Sequence, residues 1–418
     1  ADDLVYIWYF DRQYAIQCYG FNFIKDLPRF LVLLLIMDRF TTKQWGINEV
    51  FEIEQIGQRK RLDLESECGK VSMVLGSPIA THFGLRGRAT NVYSVSELEL
   101  PGEAPYSQHI PGDEHIVKIF WAEESRENEP ELIKKAHAIA QMELDVVGHL
   151  PEPVWWGKFQ DTSTAPIRQA LGLQDLAKDD DEANKDKDGV NKDTGTTEVR
   201  GSRVLWVIVF RKLRPIAELG SKEMVKTWWQ IVRCHYALWK QGLYHRDISE
   251  NNLMYYRDKN DIPVGVLNDF DLSSTKQNQQ GHERTGTIPF MAIQLLKQQS
   301  IAGHRGHLYQ HDAESFIWVL TWLSLAYENG QRRYANANLE VLFSLSAFDC
   351  GVRKASFLFD CTHVTPRWPS QVENWALARK CLQLVAFHMV VPAVLEDEYV
   401  YREWLCKNVE SHLGINAM

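Results

Sequence analysis

At 418 residues the chain is longer than one ordinary hydrophobic core supports, which predicts two lobes or domains. A formal net charge of −9 excludes a chain built mainly to coat nucleic acid, so any partner phosphate needs a local basic site. The seven cysteines are scattered, odd in number and without a C-x-x-C pair, which excludes a disulfide framework and a cysteine zinc site and predicts reduced thiols inside a cell, in cytoplasm or nucleus.

In chain order, residues 4 to 24 are rich in aromatic and β-branched side chains and predict a hairpin. Residues 28 to 40 predict a helix, and the run "FLVLLLIM" within it is far shorter than the ~20 residues a membrane span needs, so a buried helix is expected and no membrane association. No signal-peptide pattern opens the chain. Strand-like runs follow, "VSMVLGS" and "ATNVYSV", then a Pro/Gly-rich interruption at 101 to 113 and the strand "HIVKIFW". "EPELIKKAHAIAQME" has apolar residues at helical spacing. The span 174 to 200 has almost no large apolar residues and predicts a disordered insertion. "RVLWVIVF", Arg203 to Phe210, predicts a buried strand, and from about 221 helical patterns dominate. The expectation is an α+β chain, β-rich over residues 1–212 and helical over 213–418.

The stretch "LYHRDISENNLMYYR", Leu243 to Arg257, carries the chemistry. Phosphoryl transfer from a nucleotide is mostly positioning and charge neutralisation, so it needs a carboxylate near the attacking hydroxyl and oxygen ligands for Mg²⁺. Asp247 supplies the first, and Asn252, five residues on, offers a metal ligand. A second metal-binding carboxylate belongs a short hairpin downstream, where "GVLNDFDLSS" supplies Asp269 followed by Phe270.

With "HRDISENN", "NDFDLS", "RTGTIPFMA" and "HDAESF" in this order, the chain resembles the protein kinase superfamily, and more narrowly the fungal-type protein kinases. The resemblance covers most of the chain and implies a bilobal fold with a β-rich N-lobe and a mainly helical C-lobe, binding ATP and Mg²⁺. It implies a Gly-rich loop at "GLRGRATNVYSV", in which Gly87 matches the central glycine and Val92 the following valine. Lys118 is then the lysine that contacts the α- and β-phosphates. Its ion-pair partner comes from the next helix, which offers Glu129 and Glu131; Glu129 fits better, having Leu132 and Ile133 three and four positions on. The base would meet the backbone near Phe210 to Leu213. Asp312 would bond the catalytic-loop backbone or cap its helix, and Thr287 would lie beside Asp247.

Three departures stand out. Ser249 takes the place of a lysine two residues after the catalytic Asp, Asp271 replaces the glycine of D-F-G and with it the easy positive-φ option, and Ala292, Ile293 and Gln294 replace Ala-Pro-Glu, removing a Glu–Arg ion pair. A Ser/Thr protein kinase acting on a protein substrate is the leading expectation. A small-molecule kinase and a nucleotide-binding pseudokinase are the alternatives, and the oligomeric state stays open. Arg246, ahead of the catalytic Asp, suggests a phosphate in the activation segment, with Thr285 as acceptor beside Arg284.

Overall fold

The computed structural model describes residues 3–46, 54–56, 59–82, 84–100, 114–172, 201–275, 286–297, 306–328, 330–332, 337–390 and 394–414; the expected insertion at 174–200 and the pair Arg284 and Thr285 lie outside them. The described chain is α+β and divides into two compact units, Ala1–Asn128 with Glu152–Lys212, and Glu129–Pro151 with Leu213–Met418.

In the first unit, residues 4 to 24 form nested pairs: β1 (Leu4–Val5) with β4 (Phe21–Asn22), and inside them β2 (Trp8–Phe10) with β3 (Ala15–Gln17). Helix α1 (Leu27–Asp38) follows, but the burial expected for it is not there: none of its residues is buried, and Leu31, Val32, Leu34, Leu35 and Ile36 are 47–56% exposed. Leucine-rich sequence favours a helix locally, whereas burial needs a partner, and a run apolar on every side selects no one face to pack.

A seven-stranded antiparallel sheet fills the rest of this unit. It is built from β5 (Glu54–Ile56), β6 (Arg59–Ser66), β7 (Gly69–Thr81), β8 (Asn91–Glu99), β9 (His115–Glu123), β10 (Pro153–Phe159) and β11 (Arg203–Arg211), in the spatial order β10-β11-β9-β8-β7-β6-β5. Leu62, Leu64, Met73, Val117, Trp155, Val207 and Val209 form its core. The expected buried strand is β11, of which Arg203 to Phe210 are all buried.

In the second unit, helix α2 (Glu129–Ala140) buries Leu132, Ile133 and Ala136. The turn after it bonds to a hairpin of the same unit, with Leu267 N donating to His149 O at 3.0 Å. That hairpin, β13 (Leu253–Arg257) with β14 (Pro263–Leu267), is joined by β12 (Arg214–Pro215). It lies against α4 (Ser221–Lys240), and a Cβ at Gly265 would stand 2.6 Å from Thr227 O, so glycine permits the close approach. Helix α5 (Tyr309–Ala326) is buried along its whole length, and α6 (Ala347–Asp360) and α7 (Val372–Val390) follow. Among the described residues no helix is long and apolar enough to cross a membrane.

Candidate active site

Local chain geometry gathers the acidic residues in the second unit. Helix α4 is followed by Gly242 at φ 77°, and the chain enters the loop through paired bonds between Tyr244 and Ser274, each N–H reaching the other's carbonyl at 2.9 Å. A 3₁₀ turn over Glu250–Asn252 then folds Asn252 back on Asp247, its Nδ2 donating to Asp247 O at 2.7 Å and to Asp247 Oδ2 at 3.2 Å. The register Leu253↔Leu267 closes the hairpin beside this turn, with Asn268 N donating to Asn252 O at 2.9 Å. Asp269 therefore follows closely on the strand that pairs back beside the turn carrying Asn252 and Asp247.

Two non-glycine residues here adopt left-handed torsions, Arg246 at φ 67° and Asp269 at φ 65°. Such torsions cost free energy that the surrounding bonds must offset, and they concentrate at functional sites. Asp271, which stands where D-F-G has glycine, lies inside the 3₁₀ turn Phe270–Leu272 and outside the positive-φ set. The positive φ near this joint sits two residues earlier, at Asp269.

One face of Asp247 is set by the segment that follows the site. Its Oδ1 accepts from Thr287 N and Thr287 Oγ1, both at 2.9 Å. His245, buried beneath, donates from Nε2 to Asn268 O at 3.0 Å, while its Nδ1 accepts from Asp247 N at 3.4 Å. Burial pushes the His245 pKa down to about 4, so the ring is neutral at ordinary pH and both nitrogens hold the loop in one tautomer. Phe270 packs edge-on to the His245 ring, centroids 5.0 Å apart, and its N–H donates to Glu129 Oε1 at 3.2 Å. Of the two glutamates the sequence left open, Glu129 is buried at the start of α2 and Glu131 is exposed.

Asn252 turns its amide nitrogen to Asp247 and so its oxygen to the other side. That oxygen and the Asp269 carboxylate are hard donors suited to Mg²⁺, which completes its shell with water and phosphate oxygens. Among the described residues no group of three or more His, Cys, Asp or Glu is arranged to hold a metal by itself.

Asp312 departs from expectation. It is neither the cap of α5, a position held by Leu308, nor bonded to the catalytic-loop backbone: its oxygens take His235 Nε2 at 2.9 Å and His307 Nε2 at 2.6 Å. Although burial opposes it, those two histidines hold the carboxyl well below the usual carboxylate range. Glu250 is likewise engaged, by Trp322 Nε1 and Tyr327 OH.

In place of the missing Glu–Arg pair, two buried side chains each hold the backbone at the segment end. Glu314 of α5 accepts from Ile293 N at 2.9 Å and Trp318 Nε1 at 3.0 Å, and Lys354 of α6 donates to Met291 O with its ammonium 4.4 Å from the Trp318 ring centroid. Gln294, the residue at the old glutamate position, accepts instead from Gln310 and His311. No spacing rule pointed to Lys354.

In the first unit, Lys118 is buried on β9 opposite Val92 of β8, with its Nζ 4.8 Å from the Phe120 ring centroid. Gly87 lies in the β7–β8 loop at φ 88°, a torsion that favours glycine, and its N–H donates to Arg12 O at 2.7 Å. At the end of β11, Arg211 N donates to Glu152 O, and Lys212 N just after it donates to Glu114 O.

The family model described as "Fungal protein kinase" matches residues 1–324 of the chain. No curated protein matches it.

Proposed function

Because the chain belongs to the fungal protein kinase family, we propose that it is an ATP- and Mg²⁺-dependent protein kinase of bilobal kinase fold that phosphorylates Ser or Thr hydroxyls of protein substrates. The observation that carries this reading is the Asp247 carboxylate, oriented by Thr287 on one oxygen and Asn252 on the other, with Asp269 brought beside it by the hairpin.

Asp247 orients the acceptor hydroxyl and takes its proton as the hydroxyl oxygen bonds to the γ-phosphorus and the bond from that phosphorus to the β-phosphate oxygen breaks. Asn252 and Asp269 would hold Mg²⁺, which supplies positive charge to the phosphate oxygens. Lys118 would neutralise the α- and β-phosphates, and Glu129 orders the Phe270 backbone next to Asp269. Ser249 brings no charge to the transferring group, so a slower turnover than in lysine-bearing kinases is expected.

The test is phosphate transfer from labelled ATP with Mg²⁺ to a mixed protein pool, run beside Asp247→Asn. Transfer that Asp247→Asn abolishes supports the reading. Equal labelling by both proteins overturns it, and ATP binding without transfer selects the pseudokinase, a reading favoured by Leu85 and Thr90 standing at two of the three glycine positions of the loop.

A further inference from the structure

The loop that carries Gly87 is held from outside the sheet. The turn between β2 and β3, Asp11 to Tyr14, reaches it at two points: Gly87 N donates to Arg12 O at 2.7 Å, and Arg12 Nη1 donates to Gly84 O at 2.6 Å. The Arg12 guanidinium also stands over the Trp121 ring, 5.7 Å from its centroid. These contacts connect a turn near residue 12 to the β7–β8 loop and to β9, the strand of Lys118.

The turn is itself anchored by buried polar groups. Asp11 makes a bidentate pair with Arg168 of α3 (Ala165–Ala170), both bonds 2.8 Å, with the two side chains only 4% and 14% exposed. The same carboxylate accepts from Gln13 N and Tyr14 N at 2.7 and 2.9 Å, which fixes the turn's shape. Gln13 is 1% exposed and takes the hydroxyl of Thr164, which in turn accepts from Arg203 N on β11. Planar, two-bond Arg–carboxylate pairs are stronger and more directional than single contacts. A turn that only wandered over the surface would not bury an ion pair and an amide.

We infer that residues 11–14 are an intramolecular clamp that positions the 84–90 loop for nucleotide, with Arg12 as the positioning residue and Asp11–Arg168 as its anchor. The inference rests on the nucleotide-binding reading given above. Of the three motif positions where glycine is usual only Gly87 keeps it, with Leu85 and Thr90 at the other two, so the loop lacks the backbone latitude to mould itself to a phosphate there, and a fixed conformation substitutes for it. Arg12 contributes its carbonyl to the one amide, Gly87 N, whose torsion needs glycine, and its side chain to the loop's first carbonyl. Losing the clamp frees the loop to sample other conformations, and each must be given up when nucleotide binds.

The experiment uses the full chain and three variants, Arg168→Ala, Arg12→Ala and Arg12→Lys, with MgATP as the probe. Expected are a five- to tenfold rise in the Kd and KM for ATP in the two alanine variants, with kcat within twofold, and a partial return in Arg12→Lys, which retains a donor for Gly84 O. Hydrogen exchange without nucleotide is expected to speed at Gly87 in Arg168→Ala, while the sheet core around Trp155 and Val207 stays protected. An unchanged or lower KM for ATP overturns the inference, as does unchanged protection at Gly87. The exchange arm keeps the two failures apart: wild-type protein that binds no MgATP overturns the kinase reading, whereas normal ATP binding with an unaltered loop overturns the clamp alone.

Discussion

His245 links the chemistry of the site to the pH at which the chain stays folded. Its unfolded value is near 6.5 and burial lowers the folded one to about 4, so between these limits the unfolded chain binds the extra proton. The stability it contributes is therefore complete above pH 6.5 and lost as pH falls to 4, a loss of roughly 3 kcal/mol. Chemical denaturation at pH 7, 5.5 and 4.5 should show this limb, and His245→Gln should flatten it by about half or more; an identical slope in the variant would assign the acid sensitivity elsewhere. Protonation would also place a hydrogen on Nδ1 facing Asp247 N, so activity should fall over the same range. At this scale much of the site was legible in the sequence. Asp247, Asn252 and Asp269 are joined by one 3₁₀ turn and one hairpin, and such local geometry follows from spacing. Arg12 and Gly84 lie 72 residues apart, and Asp11 and Arg168 lie 157 apart, so no spacing argument reaches them.

Glu314 of α5 and Lys354 of α6 each bond the backbone at 291–293 and feel each other's charge, and burying them is costly. Burial raises the Glu314 pKa and lowers that of Lys354 to about 8, so in each partner desolvation outweighs mutual attraction. The unfolded lysine keeps its proton to about 10.5, hence stability should rise as pH goes from 8 to 10.5 in the wild type and not in Lys354→Met. Removing the lysine alone takes the donor from Met291 O and a nearby positive charge from a buried carboxylate and should cost about 1–3 kcal/mol, whereas Glu314→Gln with Lys354→Met should cost clearly less. Urea melts of the two variants measure this, and a double variant no better than the single would refute it. Elements themselves were legible where the pattern was periodic, as in β9, α2 and β11. What periodicity left out was what each element touches: α1 forms where the leucines predict it and is then exposed, and Asp312 bonds two histidines, one from α4 and one outside any helix, instead of the loop.

At the scale of the whole molecule, ligand binding is read as stability. MgATP at a hundredfold excess over its Kd should stabilise the fold by about 2.7 kcal/mol, visible as a rise of a few degrees in Tm. ATP without Mg²⁺ should give much less, and Asp269→Ala should lose the shift; equal shifts in the variant and wild type would contradict the metal assignment.

The exposed α1 has a colloidal consequence. Interparticle repulsion rests on a charge of −9 at pH 7, which falls toward zero as pH drops to the sequence pI of about 5.9. An all-round apolar rod then meets its neighbours without an electrostatic barrier. Light scattering should climb as a concentrated sample is titrated from pH 8 to 6. The charge-neutral pair Leu31→Gln and Leu35→Gln should suppress it and leave Tm within about two degrees, because neither side chain is buried; persistent scattering in that variant would move the sticky surface elsewhere. Handling conditions for this chain are thus set by twelve residues outside its sheet and its catalytic loop, and an alkaline buffer acts on them as a dispersant.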